Sequence, residues 1–269
     1  MRVAITGGAG GVGSSLAYTL VTRPEPFDVV LIDHRPDRVT SHVMDLELLL
    51  EAGGGSVTAG SCPDVTHCDV LVICASKSAT RAADNAPIID EIAGRLGGWD
   101  GAVVMVTNPV DALTARLART LGDRTRVLGY NLNDTLRLRA ALPGTKDAWV
   151  LGEHGDGAVP IFSRVRPFVD DAQRARARAF VREWYRRHVA LDAGRSSTWT
   201  SSTGIARMLA AMARDDGEQW VASVLLDGEY GLHDVATGVP VTLGPRGLVA
   251  VQEWALAPDE LAALQASPR

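Results

Sequence analysis

His154 is the histidine whose sequence neighbours most favour a chemical role. It lies in a Gly-Glu-His-Gly-Asp run at positions 152–156, directly after an apolar segment. Flanking glycines indicate a turn with open space around the ring, and imidazole titrates near neutral pH. The pattern predicts a group that exchanges a proton during catalysis. The other histidines lack such surroundings and are predicted to be surface or packing residues.

Asp134 and Arg137 form a second candidate pair. They are three positions apart, so on a helix they share one face. A carboxylate there could orient the histidine and stabilise its cationic form, and a guanidinium could bind a substrate carboxylate through two hydrogen bonds. Spacing alone favours a simpler alternative, an ion pair on a solvated helix face.

Asn108 is a third candidate because of the proline that follows it. A residue before proline is held extended, which predicts Asn108 at the C-terminal end of a buried strand. Open α/β sheets bind their ligands at that edge. Asn108 could also cap the helix that follows, and the two roles are compatible.

The glycine-rich run at positions 7–13 predicts a phosphate-binding loop. Gly8, Gly10 and Gly13 fit the G-x-G-x-x-G pattern between an apolar strand and a helix. Glycine permits the tight turn, the close approach of the backbone to a pyrophosphate and the close packing of helix on strand. The helix N-terminus then offers free N–H groups to the phosphates of a dinucleotide.

Asp33 indicates which dinucleotide is bound. It ends the second apolar run, 20 positions after Gly13, where an acid accepts hydrogen bonds from the adenosine ribose and disfavours a 2′-phosphate. NAD is therefore favoured over NADP. Arg35 leaves NADP open, because a nearby arginine can accommodate a 2′-phosphate.

The elements that must position these residues alternate in the first half of the chain. Apolar runs predict strands buried on both faces, at 3–6, 28–33, 69–74 and 102–107. Helical patterns separate them, at 14–23, 85–96 and 109–120. The alternation predicts an α/β fold, a Rossmann-type doubly wound parallel sheet.

The second half has a different pattern. It contains helical segments at 173–189 and 205–214 and strand-like runs at 221–226 and 239–243. This pattern predicts an α+β substrate domain. We expect a dinucleotide-binding domain over residues 1–130 and a substrate domain over residues 131–269.

Composition excludes several classes of protein. The chain has 269 residues, a formal net charge of −5 and 46% hydrophobic residues, as in globular proteins. No run approaches the about 18 apolar residues of a membrane helix, and the N-terminus lacks the apolar core of a signal peptide. We expect a cytoplasmic protein with no membrane or nucleic-acid partner, the arginines at 174–187 lying on a solvated helix face. The three cysteines lack metal-ligand spacing, so no metal site is predicted.

A short-chain or extended reductase has a similar glycine-rich opening. Its chemistry needs a tyrosine with a lysine four positions later. None of the four tyrosines of this chain has one, so this alternative is set aside.

Together these motifs resemble those of the L-lactate/L-malate dehydrogenase family. The matching pieces occur in order along nearly the whole chain: the glycine loop with Asp33, Met-Asp-Leu at 44–46, Asn-Pro-Val-Asp at 108–111, Asp-x-x-Arg-x-Arg at 134–139 and Leu-Gly-Glu-His-Gly-Asp at 151–156. The resemblance implies an NAD-dependent oxidoreductase that interconverts a small L-2-hydroxy acid and its 2-oxo acid. It also implies a homodimer or homotetramer.

The resemblance assigns roles to these residues. His154 is the general acid/base, Asp134 orients it, and Arg137 binds the C1 carboxylate of the substrate. Asn108 hydrogen-bonds near the substrate oxygen and the nicotinamide. The other expected NAD contacts are Gly8, Gly10, Gly11, Val12, Gly13, Asp33 and Ala75.

The loop that closes over the substrate in the family differs here. At 76–84 it is several residues shorter and contains neither glycine nor proline. Arg81 is the best candidate for the arginine that polarises the carbonyl, and Lys77 for the residue that selects the distal group of the substrate. The alternative is that both are exposed loop charges. Thr198, or Ser197, is expected to fill the place of the family's pocket threonine.

A basic residue at Lys77 favours a second carboxylate, so malate/oxaloacetate is preferred over lactate/pyruvate. Three alternatives stay open. The first is a dehydrogenase of a specialised biosynthetic 2-oxo acid. The second is a non-catalytic NAD-binding sensor with the same fold. The third is an NAD-dependent glycosidase of related fold, which would need a metal site.

Overall fold

The computed structural model describes residues 1–50, 54–77, 81–192 and 197–267. Its strands are β1 (Arg2–Thr6), β2 (Asp28–Ile32), β3 (Ser56–Ala59), β4 (Val70–Ile73), β5 (Ala102–Met105), β6 (Val127–Gly129), β7 (Trp149–Gly152), β8 (Ala158–Ile161), β9 (Gln219–Asp227), β10 (His233–Gly244) and β11 (Gly247–Val251). Its helices are α1 (Gly11–Val21), α2 (Pro36–Glu47), α3 (Ala82–Arg95), α4 (Val110–Leu121), α5 (Leu132–Ala141), α6 (Asp171–Ala190), α7 (Thr198–Arg214) and α8 (Pro258–Gln265).

The first half of the chain forms a parallel sheet. Its strands follow the order β3-β2-β1-β4-β5-β6, and every neighbouring pair is parallel. The chain order reverses between β1 and β4, and ligands of such sheets bind at this kind of switch point. The predicted Rossmann-type doubly wound sheet is confirmed.

Both faces of this sheet are buried, which explains its continuous apolar strands. Successive side chains of a strand point to opposite faces. In β4, Val72 packs in one core cluster with Leu16 of α1. Ile73 packs in the other cluster with Leu117 of α4. Helices therefore cover both faces, and the carboxyl edge of the sheet is left for the site.

The sheet continues into the second half of the chain. Gly129 of β6 pairs antiparallel with Ser223 of β9, and β10, β7 and β8 follow, with β11 paired to β10. A Cβ on Gly129 would lie 2.6 Å from the Thr114 hydroxyl, so the close approach of α4 requires glycine here. The antiparallel strands, with α5 to α8, give the α+β character predicted for this half.

Several elements differ from their predictions. β3 and α2 were not predicted, because β3 buries only Val57 and α2 buries only three of its 12 side chains. α7 begins at Thr198, seven residues early, since its first turns contain serine and threonine, which are weak helix formers. α4 begins at Val110 with Pro109 as its N-cap. The expectation that Asn108 could cap this helix is therefore wrong.

The C-terminal helix α8 holds the end of β8 through Glu260. Glu260 is buried. Its carboxylate accepts hydrogen bonds from the N–H groups of Phe162 at 2.7 Å and Ser163 at 2.9 Å, and from the Ser163 hydroxyl at 2.5 Å. A buried charge is stable only with such donors, so these bonds join the C-terminus to the middle of the substrate half.

Replacing Glu260 with glutamine is expected to lower the free energy of unfolding by about 1.5–3 kcal/mol, because the amide keeps only one acceptor oxygen for these donors and presents an N–H group to one of them. Chemical denaturation measures this loss. The matched control is Asp259→Asn at the exposed neighbouring position, where a change below about 1 kcal/mol is expected. Equal losses in the two variants would contradict the role given to Glu260.

Candidate active site

His154 lies in the turn that joins β7 to β8. Gly152 and Gly155 on either side have φ angles of +84° and +137°, which explains why glycine occupies both positions. Ser267 holds the turn from the C-terminus. Its hydroxyl accepts the N–H of Glu153 at 2.9 Å and donates to a carbonyl of the same turn at 2.9 Å. The turn predicted from the glycines is thus fixed by distant residues.

His154, Asp134 and Arg137 are in direct contact. The Nδ1–H of His154 donates to Oδ2 of Asp134 at 2.6 Å, and Nη1 of Arg137 donates to Oδ1 of the same carboxylate at 2.5 Å. Asp134 is 3% exposed and Arg137 is 9% exposed. This burial excludes the alternative of an ion pair on a solvated helix face.

The charges of this cluster shift each other's pKa values. Burial alone would raise the pKa of Asp134, but the charge and hydrogen bond of His154, together with Arg137, lower it. Burial alone would lower the pKa of His154, yet the charge and hydrogen bond of Asp134, with a contribution from Asp111, raise it above 6.5. Since ionised Asp134 holds Nδ1–H, Nε2 is the nitrogen that can exchange a proton with a ligand.

Asp111 in α4 is a site residue whose contribution was not predicted. Its Oδ2 accepts the backbone N–H of His154 at 2.7 Å, and its side chain is buried. Burial raises the pKa of Asp111 to about 6, even though the His154 N–H stabilises the carboxylate. The Asn-Pro-Val-Asp motif contained this residue, but only the fold brings α4 against the histidine turn.

A cavity of about 180 Å³ opens beside this cluster. Asn108, Asp134, Arg137 and His154 line it, together with residues of α6. The volume is below the ~300–1,000 Å³ of sites for drug-sized ligands, so it suits a small substrate. Four residues predicted from three separate motifs therefore meet at one cavity.

Helix α6 forms a wall of this cavity that was not predicted. The guanidinium carbon of Arg137 lies 4.5 Å from the ring centroid of Trp184 and 5.8 Å from that of Tyr185. Such cation–π contacts contribute about 0.5–2 kcal/mol. They hold the planar fork of Arg137 against α6, in addition to its bond with Asp134.

Asn85 connects this cavity to the predicted closing loop. It is fully buried. Its Nδ2 donates to the carbonyl of Asn108 at 2.7 Å, and its Oδ1 accepts the N–H of Lys77 at 2.8 Å. One amide therefore fixes both the backbone at Asn108 and the start of the loop.

Lys77 and Arg81 lie outside the lining of the cavity. Arg81 precedes α3, its side chain is 73% exposed, and its Nε lies 3.4 Å from Asp84. Lys77 is also exposed. The structure does not bring either residue to His154, because α3 already begins at Ala82 and the loop is short. The middle of this loop, 78–80, lies outside the described residues.

Thr198 also lies outside the lining of this cavity. It begins α7, is 9% exposed, and faces the glycine loop, where a Cβ on Gly11 would lie 3.4 Å from its hydroxyl. The packing of α7 on α1 explains this placement.

The glycine loop has the shape that a dinucleotide requires. Gly7 has a φ of +73°, and a Cβ there would lie 2.7 Å from the backbone nitrogen of Ala75. A Cβ on Gly13 would collide with the Gly7 carbonyl. The close packing of the loop on α1 therefore requires glycine at position 13. The N–H groups of the first turn of α1, at Gly11 and Val12, have no acceptor within the helix and suit phosphate oxygens.

Comparison with known proteins identifies the family. The family model described as lactate/malate dehydrogenase, NAD binding domain, matches residues 1–129. The model described as lactate/malate dehydrogenase, alpha/beta C-terminal domain, matches residues 137–269.

The chain belongs to the lactate/malate dehydrogenase family. It is therefore an NAD-dependent oxidoreductase, a 2-hydroxy acid dehydrogenase. This confirms the resemblance inferred from the motifs, and NAD as the cofactor. The glycine loop and Asp33 fit that cofactor.

Relatives and solved structures agree with this family. A malate dehydrogenase of Halobacterium salinarum is 35% identical over 96% of this chain and 93% of that protein. An L-lactate dehydrogenase of Mycoplasma mycoides is 29% identical over 94% of this chain and 89% of that protein. The structure of malate dehydrogenase from Archaeoglobus fulgidus in complex with NADH matches with a TM-score of 0.87 and 28% identity, over 99% of this chain and 95% of that one.

The described residues contain neither a membrane-spanning helix nor a cluster of metal ligands. None of the helices placed by the structure is long and apolar enough to cross a membrane. No group of three or more His, Cys, Asp or Glu side chains within those same ranges could hold a metal ion.

Asp33 of this dehydrogenase lies at the loop as a buried carboxylate, with a side chain 2% exposed. Its Oδ2 accepts the N–H of Ala9 at 3.1 Å, and its Oδ1 accepts both the N–H and the Nε–H of Arg35 at 3.1 Å. Burial would raise the pKa of Asp33, but these hydrogen bonds from Arg35 and Ala9 lower it. Asp33 is thus ionised. It is paired with Arg35, the residue that would otherwise be available to bind a 2′-phosphate.

Replacing Asp33 with serine is expected to shift the ratio of NADH to NADPH affinity by about 10- to 100-fold toward NADPH, because one charged acceptor is lost and Arg35 is released. Fluorescence titration with each nucleotide measures the ratio. Asp37→Asn, which removes a nearby exposed charge, is the control. An unchanged ratio in Asp33→Ser would show that this carboxylate does not select the cofactor.

Proposed function

We propose that this dehydrogenase interconverts an L-2-hydroxy acid and its 2-oxo acid, with malate/oxaloacetate preferred, and that His154 is the acid/base. The observation that carries the proposal is the contact of His154 with ionised Asp134, beside Arg137, in a small cavity. The substrate preference is supported by relatives, since the matches at 33–35% identity are named malate dehydrogenase and those at 29% L-lactate dehydrogenase.

Each residue of the cavity has a distinct task in the proposed reaction. Arg137 binds the C1 carboxylate of the substrate through its planar fork. Asn108, which also lines the cavity, donates to the substrate oxygen. In reduction, Nε2 of His154 gives its proton to the carbonyl oxygen, which becomes the hydroxyl, and Asp134 stabilises the cationic ring before this transfer. NADH, when bound, supplies the hydride to the carbonyl carbon.

In this proposal the two halves of the chain have different roles, cofactor binding and substrate chemistry. Residues 1–130 hold the dinucleotide at the glycine loop, and residues 131–269 supply His154 and Arg137. Lys77 and Arg81 take no part in this proton transfer, because neither lines the cavity.

We also propose that the enzyme is a homodimer or homotetramer. Large apolar side chains on its surface support this: Met44 is 65% exposed, Leu48 83% and Trp199 69%. Single exposed apolar residues are common, so sedimentation equilibrium is the direct measurement, and a monomer at micromolar concentration would exclude the proposal.

The proposed activity is tested with purified enzyme, NADH and a panel of 2-oxo acids. The panel contains oxaloacetate, pyruvate, 2-oxoglutarate, phenylpyruvate and phosphonylated analogues, and the readout is the loss of NADH absorbance. Turnover fastest with oxaloacetate is the expected result. Turnover confined to a phosphonylated acid would establish a specialised substrate, and no turnover with NADH bound would contradict the proposal.

A further inference from the structure

We infer that Arg182 and Arg186 of α6 bind a second anionic group of the substrate. This inference rests on the proposed function, in which Arg137 binds the C1 carboxylate. Both arginines line the same cavity as His154. Their spacing of four positions places them on one face of α6. The enzyme would thus select 2-oxo acids that carry a second negative charge away from C1.

The charge of the cavity favours such a dianion. Its lining contains three arginines and two aspartates. Their net charge is positive by one, and by two when His154 is protonated. A monocarboxylate leaves positive charge without a partner in the cavity, whereas a dicarboxylate balances it. Charge complementarity of this kind determines specificity more than total affinity.

The two arginines are available to a ligand to different degrees. Across the part of the chain that the structure describes, Arg182 has no hydrogen-bonded or ion-paired partner. Nη2 of Arg186 lies 3.1 Å from Oδ1 of Asp156, with both side chains largely exposed. Ion pairs this exposed contribute about 0–1 kcal/mol, so a substrate anion can replace Asp156. Arg182 is therefore the principal contact and Arg186 the second.

The position of α6 is fixed by the same residue that binds C1. Trp184 and Tyr185, which lie between Arg182 and Arg186 in helix α6, stack on Arg137. The distance between the C1 site and the second site is thereby set by side-chain packing. Since Lys77 and Arg81 lie outside the lining, α6 takes over the selection that the sequence assigned to the short loop.

Steady-state kinetics with oxaloacetate and pyruvate test this inference on the whole enzyme. Arg182→Gln is expected to lower kcat/KM for oxaloacetate by about 10- to 100-fold, mainly through KM, and to change that for pyruvate by less than about twofold. Arg186→Gln should act in the same direction with a smaller effect. Arg176→Gln, exposed on the same helix but outside the lining, is the control and should change neither.

Asp156→Asn gives a test of opposite sign. Removing the carboxylate that competes for Arg186 is expected to raise kcat/KM for oxaloacetate by about twofold or more. A variant that merely disturbed α6 would lose activity with both substrates. A fall for oxaloacetate in Asp156→Asn would therefore contradict the inference.

Binding of unreactive analogues provides a readout that does not depend on turnover. Titration of the NADH complex with hydroxymalonate, a dianion, and oxamate, a monoanion, is followed by NADH fluorescence. Arg182→Gln should weaken the binding of the dianion only. If the variant weakens the binding of both analogues equally, or of neither, the proposed second-anion site is wrong, while the proposed function stands. If the wild-type enzyme reduces no 2-oxo acid, the proposed function fails as well.

Discussion

Replacing His154 with asparagine is expected to lower kcat by about 10²–10⁴-fold, the range that a positioned acid/base contributes. The asparagine amide can still donate to Asp134, so the orientation of the site is largely kept. It has no ring nitrogen to carry a proton to the substrate oxygen. NADH affinity should stay within about twofold of the wild type, because the glycine loop and Asp33 follow β1 and β2, whereas His154 lies in the turn between β7 and β8.

Steady-state turnover with oxaloacetate and fluorescence titration with NADH measure the two expectations separately. His67→Asn is the matched control, since His67 is exposed and lies outside the cavity. Turnover by the His154 variant within about tenfold of the wild type would mean that another group delivers the proton.

The pH dependence of the wild-type enzyme gives a second signature of His154. Reduction needs the protonated ring, and the pKa of His154 is raised by Asp134. The kcat/KM for oxaloacetate should therefore fall as the pH rises through the raised pKa of His154. Oxidation of the hydroxy acid needs the neutral ring and should rise over the same interval. In Asp134→Asn the fall in reduction should move to lower pH, because the carboxylate that stabilises the cation is gone.

The motifs predicted much of the site because each residue type there has few chemical uses. Glycines on both sides of His154 indicated a turn, and positive φ angles at Gly152 and Gly155 are the physical reason. The motif with Asp134 and Arg137 suggested the two partners, but spacing alone favoured a surface ion pair. The burial of Asp134 and Arg137, which depends on the packing of α5 in the folded chain, distinguished partners of His154 from a surface ion pair.

Other parts of the site depend on packing that no local pattern records. The arginines of α6 indicate a solvated face, yet Arg182 and Arg186 line the cavity because Trp184 and Tyr185 stack on Arg137. A long cationic side chain covers apolar surface while its head stays in water, so its type alone does not reveal which face is functional.

The short loop could not be positioned from sequence for a different reason. Shortening a loop changes where its side chains lie relative to the site. The start of the next helix is set by the packing of that helix and not by the length of the loop. In this chain α3 starts at Ala82, so Arg81 stays beside Asp84 rather than at the cavity. Asp111 and Asn85, by contrast, belong to the site because of contacts with residues distant in sequence. Asp111 accepts the N–H of His154, and Asn85 donates to the carbonyl of Asn108.

The second large effect is expected at Arg137. Arg137→Lys keeps the positive charge but loses the planar fork and its stacking on Trp184. Both the C1 carboxylate of the substrate and Asp134 depend on that fork. Loss of one partner of a buried, hydrogen-bonded charge pair costs about 2–5 kcal/mol, so kcat/KM for oxaloacetate should fall by about 10²–10³-fold, with most of the change in KM.

Arg139→Lys is the matched control for this variant. It lies two positions along α5, stacks on Trp149 with its guanidinium carbon 4.4 Å from the ring centroid, and is outside the cavity lining. The same chemical change there should alter stability but leave KM within about twofold. If Arg137→Lys left KM unchanged while NADH affinity fell, the guanidinium would serve the cofactor side. The C1 carboxylate would then need another partner, and Arg182 is the unpaired cation in the described lining that could provide it.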